Sequence, residues 1–277
     1  MERQNKLVVV RGGGDLASGV VHRLIMSGFQ VIILEIEKPT VIRRTVAYAE
    51  AVFEGSFTVE GIKAMKVKGV SEVIQCLETG IIPILIDPDG ECLPALKPKI
   101  VVDAILAKRN LGTHRDMAPI VIGLGPGFCA GEDVDAVIET NRGHNLGRVF
   151  LEGSAEPDTG VPGVIGGFDY QRILRAPVDG VIRNVREICT NVKCGDIIAY
   201  VDEMPVISGL DGVLRGLITD GLPVKKNLKI GDVDPRCKIE YCYSISDKAR
   251  AIGGGVLEAI LYFLSKESEN GYEYSKH

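Results

Sequence analysis

The segment Val8-Val-Val-Arg-Gly12-Gly-Gly14-Asp-Leu-Ala17 constrains the fold more than any other stretch of the chain. Its β-branched start predicts a buried strand over Lys6–Val10. Leu16, Val20, Leu24 and Ile25 then recur at helical spacing, and Gly28 closes the helix expected over Leu16–Met26. Between them stands Gly-x-Gly-x-x-Ala, a strand-to-helix turn that can hold a dinucleotide. Gly12 permits the tight bend, Gly14 lets backbone approach a pyrophosphate, and Ala17 allows close helix–strand contact. The helix start also offers N–H groups to an anion. Glu35 ends the next apolar run, Val31–Glu35, where an acid can hold a ribose hydroxyl. Asp15 cuts the other way, because its carboxylate can satisfy the same N–H groups. A phosphate set to one side, an intervening cation and an empty loop all stay open, as does a glycine turn that merely packs.

Further apolar runs, Ile81–Ile86, Ile100–Asp103 and Ile120–Ile122, alternate with a helical pattern over Ser71–Thr79 in which Val73, Ile74 and Leu77 face inward. Strands interleaved with helices predict an α/β fold, a Rossmann-like doubly wound parallel sheet over residues 1–153. Glycine and proline crowd Glu156-Pro-Asp-Thr-Gly-Val-Pro-Gly163, so residues 154–173 read as a linker. Residues 174–240 hold an internal repeat: Pro177-Val-Asp-Gly-Val-Ile-Arg183 matches Gly209-Leu-Asp-Gly-Val-Leu-Arg215 at an offset of 32, and Val192-Lys-Cys-Gly-Asp196 matches Leu228-Lys-Ile-Gly-Asp232 at 36. Two copies of a strand–turn–strand unit predict a small β-module with approximate two-fold symmetry. Residues 241–277 carry a helical pattern from Ser246 to Lys266, with Val256, Ile260, Phe263 and Leu264 inward, expected to pack on the first domain. Beyond Glu267 fraying is expected.

Charge and composition exclude several classes. With 32 Lys and Arg against 37 Asp and Glu, the net charge is −5, which argues against nucleic-acid binding. No apolar run reaches the roughly 18 residues of a membrane span, and Met1–Lys6 leads straight into a short apolar block with no small-residue cleavage site. The expectation is a cytoplasmic protein without membrane contact. Seven cysteines without a Cys-x-x-Cys pair are expected to be reduced thiols. Four histidines and the cysteine spacings 189–194 and 237–242 give no metal-site pattern, so no metal centre is expected.

Two more segments could carry chemistry. Gly123-Leu-Gly125-Pro-Gly127-Phe-Cys129 follows a buried strand, and in a doubly wound sheet it faces the same crevice as Gly12–Ala17; a requirement for positive φ explains its glycines equally well. Cys129 lies just ahead of a helix start expected at Asp133, which would favour its thiolate. Glu139-Thr-Asn-Arg142-Gly-His144-Asn-Leu-Gly147-Arg148-Val-Phe150, placed between a helix and a strand, sets two arginines about a histidine. Arginine forks suit phosphate or carboxylate, and histidine exchanges a proton near neutral pH; solvated surface arginines are the alternative. Gly253-Gly-Gly255 is expected to open the last helix, where it serves either an anion or close packing.

On Arg11–Ala17, Glu35-Ile-Glu-Lys-Pro39, Glu139–Arg148 and Ser246–Gly255, the chain resembles the YqeB family, accessory proteins of the selenium-dependent molybdenum hydroxylase system, over nearly its whole length. The first part is also similar to the Rossmann portion of xanthine dehydrogenase accessory factors. The resemblance implies maturation of a molybdenum hydroxylase, with that client and its maturation machinery as partners. A homo-oligomer stays open. A molybdopterin dinucleotide would then be held by Gly12, Gly13, Gly14, Asp15, Ala17 and Glu35, with Gly123, Gly125, Gly127, Arg142 and Arg148; His144 and Cys129 are the candidates for reactive roles. An NAD(P)-dependent oxidoreductase using the same turn, with His144 as proton donor, is the alternative. Ala176-Pro-Val-Asp-Gly180 and Val192–Ile198 make the module similar to biotinyl/lipoyl-type modules, but Asp202-Glu-Met-Pro-Val206 lacks the lysine those modify, which implies a docking or scaffolding piece.

Overall fold

Each apolar run of the first half becomes a strand of one sheet because it is apolar on both faces. The computed structural model describes residues 6–161 and 163–274, the last seven of these as backbone only. In chain order come β1 (Leu7–Arg11), α1 (Asp15–Met26), β2 (Gln30–Glu35), α2 (Ala51–Glu54), β3 (Ser56–Val59), β4 (Ile62–Val67), α3 (Val70–Glu78), β5 (Ile82–Ile86), α4 (Leu93–Leu96), β6 (Ile100–Asp103), β7 (Ile120–Leu124), β8 (Ala136–Ile138) and β9 (Val149–Phe150). They build a nine-stranded sheet in the order β3-β4-β5-β2-β1-β6-β7-β8-β9. Val8 and Val10 face one core with α1, while Val9 faces the other with Val73 of α3 and Phe128. That alternation is why the run shows no polar face.

The sheet corrects the expected fold. Strands β4 to β8 pair in parallel, but β3–β4 and β8–β9 are antiparallel, so the sheet is mixed. No α-helix lies between β6 and β7 or between β7 and β8. The segment joining β7 to β8 is a tight turn of eleven residues, 125–135, with glycine at 125, 127 and 131 in the positive-φ region. A chain so bent has no length for a helical crossover. The α/β, Rossmann-like doubly wound parallel sheet with a biotinyl/lipoyl-like module therefore gives way to a mixed nine-stranded sheet joined to two antiparallel sheets. Smaller corrections follow from the same turns. Asp133 belongs to the turn rather than to a helix start, and Glu139 follows a strand rather than a helix. In α3, Val73 and Leu77 pack inward as expected and Cys76 joins them, while Ile74 faces solvent.

The second half adds β10 (Ile173–Arg175), β11 (Gly180–Asn184), β12 (Asn191–Val192), β13 (Ile197–Val201), β14 (Met204–Ile207), β15 (Gly212–Leu217), β16 (Pro223–Val224) and β17 (Lys229–Asp234). They form two four-stranded antiparallel sheets, β10-β17-β15-β12 and β14-β13-β11-β16, around a core that includes Ile198, Leu214 and Ile230. Gly180 opposes Val224 and Gly212 opposes Val192. Each copy of the repeat thus lends its short strand to the other, and an offset of 32 relates the copies throughout; the match at 36 is not the structural equivalence. Asp179 accepts the Lys226 amide at 2.7 Å and Asp211 the Cys194 amide at 2.8 Å, the same turn made twice.

The chain returns to the large sheet through α5 (Asp247–Tyr274), which packs on α1 and on β7 to β9. Residues 275–277 of the expected frayed tail lie outside the described residues. Gly253–Gly255 sit two turns inside α5 rather than at its start. A Cβ on Gly19 of α1 would come within 2.6 Å of the Ala249 Cβ, and one on Gly253 within 2.8 Å of the Gly19 carbonyl oxygen. The glycines set the approach of two helices, so they expose no N-terminal N–H groups to an anion.

Candidate functional site

The turn from β1 to α1 is held open by its own neighbours. Gly12 has φ +96°, and a Cβ there would meet the Ala104 carbonyl oxygen at 3.0 Å. The Gly13 N–H donates to Glu35 Oε2 at 2.7 Å, and the Gly13 carbonyl accepts the Ala49 N–H at 2.9 Å. Gly14 is the extended residue before α1, and no side chain caps the helix. Asp15 turns away to Arg43, 3.4 Å from its Nη1. The first-turn N–H groups at Asp15, Leu16 and Ala17 therefore keep their anion-facing polarity.

They face a cavity of about 660 Å³ at the carboxyl ends of β1, β2, β5 and β6. Its walls include Gly12, Gly14, Glu35, Ile36, Pro88 and Ala104. Glu35 is buried; desolvation pushes its carboxyl up, against the Ile36 and Gly13 amides that hold it down. Each of its oxygens accepts one amide and retains lone pairs for a hydroxyl. Beneath the turn, the buried Arg11 guanidinium donates to the Pro88 carbonyl at 2.7 Å and to Thr113 Oγ1, and lies 3.7 Å from Asp103. This pair fixes the strand ends that form the floor.

A second cavity of about 800 Å³ continues from the first, sharing Asp15, Leu16, Arg43, Lys229 and Asp232, and runs between the large sheet and the β-module. Most of its guanidinium groups come with acids, while Arg175 donates to the Asn227 carbonyl at 2.8 Å. Asp232 lies between Arg172 and Arg215, Asp234 between Arg215 and Arg236, and Arg142 makes a two-pronged contact with Asp247 at 2.9 and 3.2 Å. Lys229 and Lys248 line it as well; burial lowers both, and Arg142 further lowers Lys248.

Of the candidates from the sequence, Gly12, Gly14, Asp15, Ala17 and Glu35 line the first cavity, and Gly13 lies behind them. Arg142 lines the second. The other glycine loop is shaped by packing: a Cβ on Gly123 would meet the Phe128 ring, one on Gly125 the Thr140 side chain, and one on Gly127 the Arg109 backbone. From that loop Pro126 alone borders the second cavity. His144 is exposed and lies on neither cavity, and Arg148 stacks over Phe150 at 5.5 Å. Cys129 is half-buried, with its N–H on Asp133, outside both. Sequence reasoning missed Arg11, Arg43, Lys229, Lys248 and the Arg172–Asp232–Arg215–Asp234 chain. Its one available signal was a charge inside an apolar strand, as in Val213-Leu-Arg215 and Gly231-Asp-Val-Asp234. Among the described residues no cluster of three or more His, Cys, Asp or Glu could hold a metal ion, and no helix is long and apolar enough to cross a membrane.

No family model matches the chain. The uncharacterized protein YqeB of Escherichia coli (strain K12) is 54% identical over 260 residues, 94% of the chain and 48% of that protein. This identity supports the YqeB family. The chain spans about half the length of this curated relative. Among solved structures, the product-bound ectoine utilization protein EutE (DoeB) of Ruegeria pomeroyi is 10% identical with a TM-score of 0.26, over 82% of this chain and 85% of that one. An aspartoacylase family protein of Mesorhizobium loti is 9% identical at the same TM-score, over 82% and 84%. Overlaps this weak carry neither fold nor chemistry to the present chain.

Proposed function

We propose that the chain binds a nucleotide-containing cofactor in the cleft above β1 and β2 and acts as an accessory protein in maturation of a selenium-dependent molybdenum hydroxylase. The observation that carries the binding reading is the uncapped first turn of α1 facing a cavity of about 660 Å³, within the size range of small-molecule sites. The donor set suits a dinucleotide of the molybdopterin type. First-turn N–H groups would hold its diphosphate, Arg43 and Lys229 would add positive charge, and Glu35 would accept from a ribose hydroxyl. Support for the client comes from the sequence resemblance alone; the YqeB relative bears on the family and not on the client. An NAD(P)-dependent oxidoreductase is less well supported, since His144 lies off both cavities and leaves that reading without its proton donor.

The test is mass spectrometry of small molecules released on denaturing protein purified from a host fed molybdenum and selenium. Wild type should release a diphosphate-linked nucleotide. A Gly14→Glu variant should not, at an unchanged melting temperature, because a Cβ at Gly14 touches only Val41 at 3.8 Å. Equal release from both proteins refutes the site. Micromolar binding of NADH or NADPH in titration would favour the oxidoreductase.

A further inference from the structure

Four guanidinium groups around the second cavity touch a carboxylate and a fifth, Arg175, donates to the Asn227 carbonyl, whereas its two half-buried ammonium groups touch neither. Arg142, Arg172 and Arg215 contact Asp247, Asp232 and Asp234, and Arg43 contacts Asp15 and two carbonyl oxygens. The ammonium groups of Lys229, at the start of β17, and Lys248, in the first turn of α5, make no direct hydrogen bond or ion pair among the described residues; Asp232 and Asp15 attract the first, and Asp15 and Glu139 the second, only from beyond contact distance. They come from opposite walls, and Lys229 also borders the first cavity. Holding two poorly solvated like charges together costs free energy unless a counter-charge joins them.

We infer that Lys229 and Lys248 form a second anion site, selective for a phosphate-class dianion, so that a ligand gripped at the α1 turn places a further phosphate group between the large sheet and the β-module. Two compact ammonium charges suit a tetrahedral dianion, whereas a planar carboxylate favours the guanidinium fork. The existing Asp232 and Asp234 network already occupies the forks, which leaves the lysines as the receptive groups. This inference deepens the nucleotide reading and rests on it for the identity of the bridging ligand; the phosphate site itself is testable alone.

The experiment is calorimetric titration of the full chain at low ionic strength with inorganic phosphate, and with acetate in parallel. Wild type should bind phosphate with millimolar affinity and acetate at least about tenfold more weakly. A Lys229→Gln/Lys248→Gln variant should lose about tenfold or more in phosphate affinity, and Lys229→Arg/Lys248→Arg should recover most of it. Lys248→Gln alone should show a smaller loss and guards against misfolding of the double variant. Absence of phosphate heat, equal affinity for acetate, or insensitivity to both lysine changes would overturn the inference. Failure of nucleotide retention with lysine-dependent phosphate binding preserved would overturn only the nucleotide reading.

Discussion

Adjacent glycines in α5 should respond to the same substitution in opposite directions. Gly254 and Gly255 share a helical turn, and alanine at either removes a penalty of about 0.8–1 kcal/mol for glycine in a helix interior. Nothing lies within 4 Å of a Cβ added at Gly254. Gly254→Ala should therefore stabilise by most of that amount. A Cβ at Gly255 would overlap the Gly147 carbonyl oxygen and lie 3.0 Å from Ile138 Cγ2. The oxygen is backbone in a turn tied by the Gly147 N–H to the Glu139 carbonyl at 2.9 Å, so it cannot rotate aside. Overpacking of this kind costs about 1–3 kcal/mol or more, and here the upper end applies, giving a net loss of about 2 kcal/mol for Gly255→Ala. For a chain of this size, about 2–4 °C per kcal/mol puts the two variants about 6–12 °C apart in Tm. Urea denaturation and thermal melts of both read this directly. Shifts of the same sign would refute the reasoning, because propensity alone predicts equal gains.

Three other perturbations follow from the site. The Asp247 carboxyl, held down to about 2 chiefly by Arg142, should titrate near that value by carbon-13 NMR; a midpoint near 3.8 would show the contact absent in solution. Because its folded pKa is depressed, the contact's contribution is full above the unfolded value and lost as pH falls from about 4 to about 2, and Asp247 is exposed enough to keep it below about 1 kcal/mol. Glu35→Ala should cost about 1–3 kcal/mol in urea denaturation by orphaning the Gly13 N–H, whereas Glu35→Gln, which keeps an acceptor, should cost less; equal losses would place the effect elsewhere. With a thiol reagent, exposed Cys194 and Cys237 should react first and buried Cys92 and Cys242, both pushed up to about 12 mainly by burial, last; a fast Cys92 would contradict the packing.

How much of this was legible in the sequence depends on how local the cause is. The β1–α1 turn was legible because an apolar run, two glycines and a helical period lie within twenty residues. Glu35 was legible as the end of the next run, though its bond to Gly13 was not. The sheet was misjudged where crossovers lack helices: the glycines after β7 signal a bend, and the residues either side do not reveal whether a helix follows. Gly253–Gly255 misled for a related reason, since their meaning depends on Gly19 and Gly147, more than a hundred residues away. Lys229 and Lys248 are ordinary surface-type residues by composition. They gain their setting when the module folds back over Asp15, a contact that periodicity does not encode.

The neck of the β-module has a consequence of its own. Ile173 lies opposite Asp232, so this unit begins and ends side by side on neighbouring strands. Such an arrangement has the connectivity of a cassette, with the Leu217 N–H to the Ile42 carbonyl and Arg44 to the Leu217 carbonyl, each at 2.8 Å, as its ties to the scaffold outside the neck. Exchange would carry off Arg215 and Lys229 and leave the glycine turn untouched. Selectivity for the far end of a guest can thus drift through generations independently of the grip on its near end.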